Sequence, residues 1–122
     1  MKHVLKVTAA AVALAALFAP VSTPADANFG FATFWATING SGTTHSGSGV
    51  HSSSRPATGT YIVRFMRPVR KGCAYAATTR GTAGGQASVQ PVAGKPAQLE
   101  VRTFNKSGGV ANLGFTLLVS CV

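Results

Sequence analysis

Few side chains in this sequence are equipped for chemistry, and the densest group is basic. The stretch VRFMRPVRKGCAY at residues 63–75 sets Arg64, Arg67, Arg70 and Lys71 just ahead of Cys73. Cations this close together favour an anionic partner: nucleic acid, acidic polysaccharide or lipid headgroups. The same residues also fit a charged edge and turn that discourages strand-to-strand aggregation. Their spacing of three is not helical, because Pro68 interrupts and the alternation before it is that of a strand. The RKGCAY segment matches only the first two positions of an RNA-recognition RNP1 pattern, too little to assign that role.

Carboxylates are nearly absent. The sequence has two acidic residues, Asp26 and Glu100. Paired-carboxylate glycoside hydrolysis needs two such groups in the folded domain, hard-metal sites need several oxygen ligands, and a Ser-His-Asp triad needs an orienting acid. His45 and His51 lie close in sequence, but two histidines fall short of the four ligands of a stable zinc site. No metal, no cofactor and no catalytic residue is therefore expected, and the chain is read as a non-enzyme. Cys73 and Cys121 are the only cysteines and form no Cys-x-x-Cys redox motif.

The N-terminal residues suggest a compartment. Residues 1–6 are a short basic segment, residues 7–19 an unbroken small-apolar run, and Ala25-Asp26-Ala27 a small-x-small cleavage pattern. The apolar run is too short to cross a bilayer, which takes about 20 residues, and Pro20 ends it. The expectation is a signal peptide over residues 1–27, with secretion to the extracellular space or periplasm. A single domain follows over 28–122, without a transmembrane segment. Eleven Lys and Arg, less Lys2 and Lys6, leave nine against Glu100, a formal charge near +8. An exported chain has no access to intracellular nucleic acid. Anionic polysaccharide or a cell-surface polymer is then the expected partner of Arg64, Arg67, Arg70 and Lys71. The oxidising compartment also favours pairing of Cys73 with Cys121. The Ala-rich leader has a bacterial composition, so Asn39-Gly40-Ser41 and Asn105-Lys106-Ser107 are read as turns rather than glycan sites.

The elements that position these groups are strands. No helical period is visible after residue 28, and fourteen glycines, with prolines, Ser and Thr, punctuate short β-branched and aromatic runs. Residues 60–67 alternate with Tyr61, Val63 and Phe65 on one face, between a turn at 56–59 and Pro68. Residues 73–80, 87–92 and 98–104 read as further strands, the last with Leu99, Val101 and Thr103 on one face. Turns are expected at 81–85, 93–97 and 105–109. In the closing strand Phe115, Leu117, Val119 and Cys121 share a face. Cys73 lies on the face of Tyr75, so both sulfurs point to the expected core. The fold expected is an antiparallel β-sandwich, jelly-roll or immunoglobulin-like, of seven or eight short strands.

The segment NFGFATFWATI at residues 28–38 is apolar on both faces, with Phe29, Phe31 and Trp35 on one parity and Phe34 and Ile38 on the other. Such a strand is either buried on both sides or covered by a partner. Phe29, Phe31, Phe34 and Trp35 are accordingly candidates for a self-interface, joined by Leu118, Thr116 and Ser120 on the second face of the last strand. A homo-oligomeric structural subunit is the alternative to a binding module.

Taken together, Gly59-Thr60-Tyr61-Ile62-Val63-Arg64-Phe65, Cys73-Ala74-Tyr75 and the segment from Phe115 through Cys121 resemble a group of small exported bacterial proteins of unassigned function. The resemblance covers most of residues 28–122. It implies a compact β-sandwich with a Cys73–Cys121 bridge and brings no catalytic residue. The first of these segments is also distantly similar to strands of trimeric C1q-like jelly rolls, which implies oligomerisation and nothing more.

Overall fold

The computed structural model describes residues 32–122. The leader, its cleavage site, Phe29 and Phe31 lie outside the described residues. Eight strands follow in order: β1 (Ala32–Ile38), β2 (Thr44–Ser48), β3 (Val50–Ala57), β4 (Thr60–Phe65), β5 (Cys73–Thr79), β6 (Gln86–Val92), β7 (Lys95–Phe104) and β8 (Phe115–Cys121). They form two four-stranded sheets, β2-β1-β8-β5 and β3-β4-β7-β6, with every hydrogen-bonded pair antiparallel. The all-β sandwich expected from the sequence is what forms. No helix among the described residues is long and apolar enough to cross a membrane.

Alternation decides which side chains meet between the sheets. Ala36, Ile38, Phe115, Leu117, Val119 and Cys121 come from one inner face, and Tyr61, Val63, Phe65, Leu99, Val101 and Thr103 from the other, all buried. These are the parities read from β4, β7 and β8. Each large apolar side chain removed from water in this way contributes roughly 1.5–3 kcal/mol. Thr103, the one buried polar side chain among the described residues, is satisfied: its hydroxyl donates to the Ala111 carbonyl at 2.5 Å. Tyr61 stacks edge-on against Phe115 with centroids 5.0 Å apart, and its hydroxyl reaches the Gly40 carbonyl at 2.9 Å.

Several boundaries differ from the expectation. Residues 44–57 form β2 and β3, and the chain passes from one sheet to the other at Gly49. Its φ of +77° is open to glycine, and a Cβ there would strike the Phe34 ring. The turn expected at 56–59 is confined to Thr58 and Gly59, because Pro56 is tolerated near the end of an edge strand, within a register irregularity. Likewise the turn expected at 93–97 is only Ala93 and Gly94. Pro96 can occupy the second position of β7 because pairing with β4 starts at Gln98, beyond it. Asn39 and Asn105 serve the turns around them. The Asn39 amide donates to the Thr43 hydroxyl, and the Asn105 side-chain oxygen accepts from the Ser107 and Gly109 amides.

Candidate functional site: a basic end and an uncharged face

Cys73 and Cys121 are joined in a disulfide, opposite each other in the register of β5 and β8 at one end of the sandwich. The bridge closes a loop of 48 residues, worth roughly 4 kcal/mol in the chain-entropy treatment. The connection from β4 to β5, residues 66–72, runs over the same end and carries most of the basic cluster.

That connection is pinned from beneath. Val69 is fully buried among core residues. Its amide donates to the Pro96 carbonyl at 2.9 Å, and its own carbonyl accepts from the Tyr75 hydroxyl. With Val69 turned inward, Arg67 and Arg70 on either side remain exposed, as do Lys71 and Pro68. Arg67 sits over the Phe34 ring, 5.7 Å from its centroid, a cation–π contact that orients the guanidinium.

Two adjoining grooves open here. Arg67, Pro68, Arg70, Lys71 and Pro96 line one of about 670 Å³. Arg64, Lys95, Pro96, Ala97 and Gln98 line the other, of about 300 Å³. Pro96 belongs to both. The four cations singled out in the sequence are thus divided, Arg64 in the smaller groove and Arg67, Arg70 and Lys71 in the larger. Lys95 joins them, and sequence reasoning missed it: the β6–β7 hairpin places it here, and only the register carries that information. Val69 and Tyr75 were likewise silent in the sequence as anchors.

Among the described residues no carboxylate side chain lines either groove. Glu100 lies on the outer face of its sheet, where one oxygen accepts from Gln90 at 2.6 Å and from Arg102 at 3.2 Å. The Arg102 contact is the one ion pair among the described residues, so no acidic side chain among them pairs with the cations of the grooves. His45 and His51 are both exposed, and the described residues hold no cluster of three or more metal-ligating side chains.

The candidate self-interface residues separate. Phe34 points inward, half-buried, with its ring 6.0 Å from that of Phe65. Trp35 points outward and is 38 % exposed, directly opposite Leu118 at 47 %. Outward positions of β1, β8 and β5 form three cross-strand rows: Thr33–Ser120–Ala74, Trp35–Leu118–Ala76 and Thr37–Thr116–Thr78. None of these side chains is charged.

Comparison with known proteins returns no matching family model, no matching curated protein and no matching solved structure. The functional reading therefore rests on the residues of this chain.

Proposed function

We propose that this chain is an exported, non-enzymatic β-sandwich that binds acidic polymers outside the cytoplasm through the Cys73–Cys121 end. The observation that carries the reading is the gathering of Arg64, Arg67, Arg70, Lys71 and Lys95 around Pro96 without an acidic side chain among them. Long-range attraction speeds encounter with a polyanion and weakens with salt. The leader pattern and an intramolecular disulfide support export to an oxidising compartment. Engagement of Glu100 with Gln90 and Arg102, outside the lining of either groove, supports a role in binding rather than catalysis.

Strand order favours the immunoglobulin-like form of the sandwich. The order β3-β4-β7-β6 facing β5-β8-β1 reproduces that of a constant-type domain, A-B-E-D facing C-F-G, with its last strand supplied from the N-terminal side and β2 added. The fold class adds nothing to the functional argument.

The decisive test is retention on a heparin column. Wild-type protein is expected to elute at higher salt than a variant with Arg64, Arg67, Arg70 and Lys71 replaced by Gln or Ser. Equal elution of the two proteins removes the role assigned to the cluster.

One observation favours a second reading, assembly into a homo-oligomer. Trp35 and Leu118 stand side by side among uncharged outward positions, where two cationic copies can meet with little repulsion. Light scattering at high micromolar concentration tests it. A dimer or trimer that Leu118→Lys dissociates supports assembly, and a strict monomer rules it out.

A further inference from the structure

The two grooves differ from a plain basic patch in three respects. Pro96 lines both and Pro68 the larger, so each groove includes a stiff apolar ring. Lys95 and Arg64 extend the positive charge beyond the β4–β5 connection. Burial of Val69 and the hydrogen bonds holding it to Pro96 and Tyr75 fix the connection before any ligand arrives, which reduces the ordering that binding requires.

These features discriminate among polyanions. A linear polyphosphate has no apolar face to set on the proline rings. Single-stranded nucleic acid relies on aromatic platforms for its bases, and among the described residues no aromatic side chain lines either groove. A chain of acidic pyranose rings carries both features at once: C–H faces for the proline rings, and carboxylates or sulfates at the ring edges for cations. We propose, resting on the polyanion reading above, that the ligand is an acidic polysaccharide laid across both grooves. Its ring faces lie on Pro68 and Pro96. Its anionic groups reach Arg64 and Lys95 in the smaller groove and Arg67, Arg70 and Lys71 in the larger.

The test is titration calorimetry of the purified protein with a heparin-derived decasaccharide and with a linear polyphosphate of equal charge, at two salt concentrations. The decasaccharide is expected to bind about tenfold more tightly, as burial of some tens of Å² of apolar surface implies. Lys95→Gln should weaken both ligands about fivefold, the usual effect of one cation beside an anionic surface. Pro96→Ala keeps the carbonyl that holds Val69, so it should weaken the decasaccharide about threefold and leave polyphosphate unchanged. Pro68→Ala repeats the measurement at a residue outside any strand, with thermal unfolding confirming that each variant folds.

Equal affinity of wild type for the two polymers, or parallel losses in the proline variants, overturns the polysaccharide assignment while leaving the polyanion reading intact. An unchanged affinity in Lys95→Gln overturns the path across both grooves. Failure of wild type to bind either polymer at low salt removes the polyanion reading itself.

Discussion

On the outer face of β2-β1-β8-β5 the central row is Trp35, Leu118 and Ala76, whereas the corresponding row of β3-β4-β7-β6 is Ser54, Ile62, Glu100 and Gln90. Flanking rows repeat the contrast. Thr, Ser and Ala lie on the first sheet, and Arg64 and Arg102 stand among polar partners on the second. The inner faces, by contrast, are similar, each a set of alternating buried side chains that are apolar except for Thr103 and the hydroxyl of Tyr61. Solubility demands only that the outer faces be compatible with water, and both meet that demand by different means. The difference is therefore free to serve partners: one face suits contact without charge, while the other sheet contributes Arg64 and Lys95 to a charged end.

The covalent link is a second asymmetry. The disulfide ties β5 to β8 within one sheet, and the other sheet has no such tie. Replacing both Cys73 and Cys121 by Ala is expected to lower stability by about 4 kcal/mol, measured by urea unfolding. Amide exchange should rise more in β5 than in β6, and a uniform rise would erase this distinction between the sheets. Similarity of the inner faces is tested by Leu117→Ala and Leu99→Ala, each expected to lose about 3 kcal/mol in the same assay. A loss below about 1 kcal/mol at either site would show that the two faces do not share the core equally.

Sheet β3-β4-β7-β6 depends instead on backbone geometry at the β3–β4 turn. Gly59 has φ +66°, and an added Cβ would lie 2.5 Å from Val110 Cγ1 and 2.9 Å from the Thr103 carbonyl oxygen. Gly59→Ala is expected to cost about 2 kcal/mol, readable as a lowered thermal midpoint. Smallest of all should be the outer-face effects. Leu118→Lys and Glu100→Gln should each change stability by less than about 1 kcal/mol. If Leu118→Lys also leaves solution mass unchanged where wild type self-associates, the uncharged face is not the contact.

Legibility in the sequence followed period and burial. In β4, β7 and β8 the alternation of Tyr61-Val63-Phe65, Leu99-Val101-Thr103 and Phe115-Leu117-Val119 is complete, and these strands run through the centre of the core. By contrast β2 is exposed throughout and β3 mostly so, and they are written in Ser, Gly and His, so no apolar period marks them. Their pairing comes from neighbours: β1 supplies the ladder for β2, and β4 the ladder for β3. The basic cluster was visible as composition, but its partition between two grooves was not. Arg64 belongs to a strand and Arg67 to a connection whose direction Val69 sets.

Sequence alone determined the all-β class, the inward parity of the central strands, the scarcity of carboxylates and the positive charge. Each of these depends on residue type and on neighbours two positions away. Tertiary structure alone decided which strands share a sheet, the register that sets the paired Cys73 and Cys121 opposite each other on β5 and β8, that Phe34 turns inward while Trp35 turns out beside Leu118, and that Lys95 lines one groove with Arg64. Those are contacts between distant segments. A period of two fixes which face a side chain takes along its own strand and carries no information about the strand beside it.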